Sequence, residues 1–159
     1  MTSNAQTDIE LAVEYAKQGT NPLYITQLES GWVFLGLNQV LRGCCFLVAD
    51  PHVSTIEDLS PHARAQYIDD MIVVGKAIQA VTGASKINYL FLGNKDPILH
   101  VHIIPRFDDE PDQYKAHGPW KYDEYVKFDI ERDQPLIDAL RTAIENRETV
   151  ETVSSVPIN

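Results

Sequence analysis

The spacing of apolar and polar positions changes period several times along the chain, and each change marks an element. Residues 9–15 carry weak helical spacing closed by Gly19. Residues 23–28, 32–37 and 44–48 are short runs of branched and aromatic side chains, with Glu29-Ser30-Gly31 as a turn after the first and 38–43 as a connection after the second. Runs of this length between turn residues predict an antiparallel meander. Ser60-Pro61 reads as a helix N-cap followed by proline at the first helical position; behind it Tyr67, Met71, Val74, Ile78 and Val81 form an amphipathic stripe that ends at Gly83. A strand at 87–92, a tight connection at 93–97 and a strand at 98–104 follow, the last ended by Pro105. Residues 107–122, rich in Asp, Pro, Gly and aromatics, read as an ordered surface loop. Pro135 then opens a last helix with Leu136, Leu140 and Ile144 on one stripe. The sum is α+β: a five-stranded antiparallel sheet with one long and one shorter helix. The expected organisation is an N-terminal extension at 1–20, a single domain at 21–148 and a loose tail at 149–159.

Composition narrows the function classes. At 159 residues, 44% hydrophobic and 23% charged, the chain suits one domain with a substantial core. Its net charge of −10 argues against nucleic acid or an anionic membrane as partner, because a basic face supplies most of the affinity for either. A small anionic ligand needs only a local cluster of donors and is not excluded. No apolar run approaches the roughly 20 residues of a membrane span. Residues 1–8 are polar, without the basic and apolar segments of a secretory signal, and Cys44 and Cys45 are adjacent within an apolar run. Neighbouring cysteines do not bridge one another in ordinary geometry, so a reducing cytoplasm is the expected location.

The candidate chemistry lies in Leu99-His100-Val101-His102-Ile103-Ile104-Pro105-Arg106. On a strand, His100 and His102 share a face while Val101 and Ile103 point the other way. From residue type alone, two structural histidines satisfied within the fold are the readier account. A metal site is a second, with His52, His62 or His117 as a third ligand, although no Cys or Glu sits at tight ligand spacing. The third is nucleophilic catalysis at phosphorus, in which one ring attacks while its neighbour holds or protonates the group being cleaved.

The sequence around the two rings favours the third. Residues 86–94 (Lys-Ile-Asn-Tyr-Leu-Phe-Leu-Gly-Asn), followed by 99–106, resemble the signature of the histidine triad (HIT) superfamily, and within it the bacterial diadenosine polyphosphate hydrolase-like branch. The likeness spans about residues 23–122, through 38–43, His52-Val53, Asp58-Leu59-Ser60, Phe107-Asp108-Asp109 and Gly118-Pro119-Trp120.

The resemblance implies a HIT-like fold and hydrolysis of a dinucleoside polyphosphate at the α-phosphorus through a nucleotidyl-histidine intermediate. It places the nucleophile at His100 and a phosphoryl or leaving-group contact at His102. Asn94 would hold the α-phosphate together with the backbone amides of Gly93, Asn94, Lys95 and Asp96; Asn88 would be a further ligand, and Asn38 and Gln39 would lie near the ribose. No cofactor is implied, with Mg2+ on the substrate phosphates a possibility, and two copies are expected to form a homodimer through a helix and a sheet edge. Other nucleotide conjugates (a phosphoramidate, an adenylyl sulfate, a nucleotide sugar) and a non-catalytic nucleotide-binding protein are the alternatives.

The sequence departs from the family's His-x-His-x-His motif at Ile98, where the first histidine would stand. In the family, the carbonyl of that residue orients the nucleophile's ring, and a backbone carbonyl survives the exchange. Asp50-Pro51 and Cys44 also replace the basic and aromatic or histidine residues usual at those positions. Of the remaining candidates, His62 reads as solvated, His52 as a support for the strand-to-helix connection, and Asp108-Asp109-Glu110 as a solvated acidic turn. Trp120 reads as a loop anchor with base stacking as the alternative, the cysteines as core or edge filler, and Lys95 and Arg106 as local cations, with a structural or interface role as an equal alternative for Arg106.

Overall fold

The computed structural model describes residues 6–147. Five strands form one antiparallel sheet in the order β1-β2-β4-β6-β5: β1 is Tyr24–Leu28, β2 Gly31–Leu35, β4 Cys45–Ala49, β5 Lys86–Leu90 and β6 His100–Arg106. A second ribbon pairs two short strands, β3 (Asn38–Gln39) and β7 (Val126–Lys127). Two-residue strands carry no periodicity, so nothing in the apolar pattern announces this ribbon.

The sheet is buried on both faces, for different reasons. On one face, Val33, Leu35, Cys45, Leu47, Val101 and Ile103 meet the helices α2 (Pro61–Thr82) and α4 (Ile130–Glu145). Tyr67, Val74 and Ile78 of α2 and Leu140 and Ile144 of α4 complete this core, and all five are buried. Full burial of such side chains contributes roughly 1.5–3 kcal/mol each. α2 begins as expected: Ala63 N–H donates to the Ser60 hydroxyl at 3.2 Å, Pro61 takes the first position, and Gly83 closes the helix with φ +76°. On the opposite face, Trp32, Phe34 and Val48 are covered by the short helix α1 (Asp8–Lys17), through Ile9, Val13 and Ala16. α1 carries a capping box: Glu10 N–H donates to the Thr7 hydroxyl, and Thr7 N–H to the Glu10 carboxylate. The segment expected as an extension is thus packed on the sheet face that carries the histidines.

Two of the three prolines expected to bound an element lie inside one instead. β6 runs through Pro105 to Arg106, paired with β5 at Ile87↔Pro105. The last rung with β4 is Cys45↔Ile103, so the imino nitrogen lies beyond that ladder and costs no strand hydrogen bond. α4 starts at Ile130 and contains Pro135, because Asp129 caps it by accepting from Arg132 N–H at 2.9 Å. The missing amide frees only the carbonyl of Glu131, an exposed residue. The loop 107–122 holds a short helix, α3 (Asp112–Lys115), and a 3-10 turn at Pro119–Lys121. The expected tail at 149–159 lies outside the described residues. Among these residues, no helix is long and apolar enough to cross a membrane.

Candidate active site

β6 sets the site by alternation. Leu99, Val101 and Ile103 enter the helix-covered core, which forces His100, His102, Ile104 and Arg106 onto the other face. The His100 ring lies 2.7 Å, at Nδ1, from the Ile98 carbonyl. A carbonyl only accepts, so Nδ1 carries the proton and the lone pair is on Nε2. No buried side-chain polar atom lacks a partner among the described residues, and Nε2 makes no hydrogen bond there; it therefore opens onto a cavity. The His102 ring stands edge-on to His100 with centroids 5.0 Å apart and packs near Phe46. Burial, with His100 alongside, lowers the His102 pKa below the ordinary 6.5, so this ring is neutral at neutral pH.

The connection from β5 to β6 forms the rim. It turns at Gly93, whose φ of +57° is a left-handed conformation that favours glycine. Asn94 and Lys95 are exposed on it, and the Lys95 ammonium lies 3.7 Å from Asp8, a contact between two solvated side chains that contributes little. One cavity of about 350 Å³ lies between this loop, the first turn of α1, Phe46 and both histidines. Another, of about 360 Å³, extends from His100, Gly93 and Asn94 towards Ser54, Thr55 and Glu57. A third, of about 490 Å³, starts at His102 and is mainly apolar, bounded by Leu37, Val40, Phe46, Leu90, Trp120 and Tyr125. Together they bring His100, His102, Gly93, Asn94 and Lys95 around one opening.

The other candidate residues are placed differently. Asn38 is exposed at the edge of the apolar cavity. Gln39 is buried and turned inward: its amide donates to the carbonyls of Gly36 and Cys44 at 2.7 and 3.0 Å and accepts from Gly43 N–H at 2.8 Å. With its polar atoms consumed, Gln39 shapes the loop and is not presented to a ligand. Asn88 lies in a separate cavity beside Lys86 and His117, where its carbonyl oxygen accepts from Arg106 at 2.9 Å.

Arg106 is an organising residue instead of a free cation. Its guanidinium grips the Glu110 carboxylate, with Nε and Nη2 both at 2.9 Å, and donates to the carbonyls of Tyr114, Lys115 and His117. Glu110 also accepts from Phe107 N–H and the Tyr122 hydroxyl. Burial alone would raise the Glu110 pKa, but the bonds from Arg106 and Tyr122 outweigh it and hold the carboxyl below its usual range. Burial and the neighbouring Glu110 push the Tyr122 phenol up to about 12. The expected solvated turn at 108–110 is therefore corrected for Glu110, a buried clasp of the loop. Gly118 lets the Trp120 ring fold back: a Cβ there would lie 2.3 Å from it. Trp120 is 66% exposed and sits where the apolar cavity meets the Asn88 cavity.

His52 and His62 are exposed, apart from the pair. Among the described residues, no group of three His, Cys, Asp or Glu side chains is placed to hold a metal ion. Burial pushes the Cys44 thiol up to about 11 and raises the Cys45 thiol well above its ordinary value, so both are poor nucleophiles at neutral pH. One side-chain role at the site escaped the sequence reading, which placed only the backbone amide of Asp96 there. Asp96 accepts from Ile98 N–H and from Ile9 N–H, each at 3.1 Å, and so ties the rim to α1. Its signal was local: an Asp side chain commonly accepts from the amide two residues on.

The HIT domain family model matches residues 22–109 of this chain. The chain belongs to the HIT family. Among solved structures, a histidine triad protein from Bradyrhizobium japonicum is 29% identical, with a TM-score of 0.68 over 76% of this chain and 89% of that one. The fold is shared with a hypothetical histidine triad nucleotide-binding protein from Sulfolobus tokodaii, at 19% identity and TM-score 0.67 over 87% and 93%. It is shared too with a zinc-bound histidine triad family protein from Mycobacterium smegmatis, at 18% identity and TM-score 0.63 over 87% and 96%. No curated protein matches the sequence. HIT membership carries the coarse reading, a nucleotide-binding or nucleotide-hydrolysing protein.

Proposed function

We propose that this HIT protein hydrolyses a dinucleoside polyphosphate, of the diadenosine tetraphosphate kind, at its α-phosphorus. The supporting observation is the 2.7 Å contact between His100 Nδ1 and the Ile98 carbonyl, which leaves Nε2 unprotonated and facing the cavities. In this reading Nε2 attacks the α-phosphorus, a P–N bond forms, and the bond to the leaving phosphate oxygen breaks. Water then cleaves the P–N bond, releasing a nucleoside monophosphate and freeing His100. His102 contacts the phosphoryl oxygens or the departing oxygen, and the amides of 93–96 with Asn94 carry the charge developing on phosphorus. One nucleoside occupies the apolar cavity beside His102, large enough for a base and ribose. Lys95, which lines the cavity with both histidines, is the cation offered to the phosphate chain, and Mg2+ travels with the substrate rather than with the protein. Two copies form a homodimer through the free edge of β5, which sedimentation would read as twice the chain mass.

The test is turnover of a panel of dinucleoside polyphosphates, a phosphoramidate, an adenylyl sulfate and a nucleotide sugar in 18O-labelled water. Preferred cleavage of the polyphosphate, with 18O only in the monophosphate, is the expected result. Preference for another conjugate would reassign the substrate. Tight nucleotide binding without turnover, the outcome that Ile98 raises, would make this a binding protein.

A further inference from the structure

His100 can attack only while the Ile98 carbonyl stays where its Nδ1 proton needs it, and that carbonyl belongs to a residue held on both sides. The peptide after Ile98 is pinned by Leu99 N–H, which donates to the Val53 carbonyl at 2.7 Å. The peptide before it is pinned by Ile98 N–H, which donates to one oxygen of the Asp96 carboxylate at 3.1 Å. The other oxygen of that carboxylate accepts from Ile9 N–H, in the first turn of α1, also at 3.1 Å. The Ile98 side chain is itself buried under α1, in the cluster of Ile9, Val13, Trp32 and Phe34. A histidine at position 98 would place a polar ring in this apolar cluster, whereas isoleucine fits it.

From this geometry we propose that Asp96, clamped by α1, is a positioning residue for His100, and that α1 is part of the catalytic apparatus and not merely an appendage. The inference rests on the reading of His100 as nucleophile. Asp96 touches no reacting atom; it fixes the peptide entering Ile98, which with Leu99 held on Val53 keeps the Ile98 carbonyl on the Nδ1 proton, and that proton leaves the lone pair on Nε2.

The tautomer of His100, read by nitrogen-15 NMR on the ligand-free full chain, tests this without any substrate. In the unaltered protein the proton resides on Nδ1. Asp96→Ala is expected to mix the two tautomers and to lower kcat about tenfold, with KM changed less than twofold. Asp96→Asn, which keeps a single acceptor oxygen, falls between. Val13→Asp unseats α1 while leaving every residue of the loop unaltered, and the same tautomer change is expected there; this variant decides the matter if Asp96→Ala fails to fold. An unchanged His100 tautomer in the folded variants overturns the proposal, even if kcat drops. If the unaltered protein turns over no nucleotide, the nucleophile reading fails instead, and the tautomer data still judge the positioning.

Discussion

Along one face of β6 the two ends carry polar side chains under opposite conditions. At the Arg106 end every guanidinium nitrogen has an acceptor, and the Glu110 carboxylate is gripped by Arg106, Tyr122 and the backbone of Phe107. At the histidine end, His100 uses one ring nitrogen internally, and its other nitrogen faces a cavity without a partner among the described residues. The same strand, the same alternation and similar burial thus produce a clasp at one end and an open valence at the other. A buried polar group whose hydrogen-bonding capacity is consumed is architecture; one whose capacity is left over at a cavity is available for chemistry.

Substitutions at the two ends should separate accordingly. His100→Ala is expected to cost about a thousand-fold or more in kcat/KM, with the urea midpoint nearly unchanged; a large loss of stability instead would make His100 part of the scaffold. Arg106→Met leaves the Glu110 carboxylate buried and uncompensated, so it should destabilise the fold by about 3 kcal/mol in urea unfolding. The variant should still turn over substrate below its melting temperature, and activity loss without destabilisation would erase the contrast. His102→Gln is expected to lower kcat about a hundred-fold without altering the urea midpoint.

The direction of the His102 shift carries a pH prediction. Its folded pKa is below the ordinary 6.5, so as pH falls the unfolded chain takes up the proton first. Stability should decline as pH falls from about 6.5 towards the folded value and then level off, and His102→Gln should flatten that decline. The smallest effect is expected at Cys44: with its thiol pushed up to about 11, iodoacetamide at pH 8 should leave it unmodified over hours in the folded protein.

The five-strand sheet, the long helix and the paired histidines were legible because each rests on a periodicity that packing enforces: alternation on β6, a three-to-four spacing on α2. What escaped was governed by contacts distant in sequence. Pro135 looks like a helix start only until Asp129 is seen to cap the chain six residues before the expected first position. Pro105 looks like a strand end only until the β4 ladder is seen to stop at Ile103. Gln39 carries the right chemistry for a ligand contact, yet Gly36, Gly43 and Cys44 consume its amide. The bond from Ile98 N–H to Asp96 follows a local pattern, but the second partner that ties Asp96 to α1, the amide of Ile9, is 87 residues away. Residue type reports what a side chain can do; whether that capacity is spent inside the fold is decided by neighbours the local pattern does not reveal.

The claim on which the account turns is that the free nitrogen of His100 forms a bond to phosphorus. Rapid mixing of the protein with a dinucleoside polyphosphate, followed by mass spectrometry under non-acidic conditions, reads it directly. The predicted result is a transient mass increase of one nucleotidyl group, mapped by peptide fragmentation to His100 and lost in His100→Ala. Turnover with no adduct at any time, or an adduct on another residue, would contradict it.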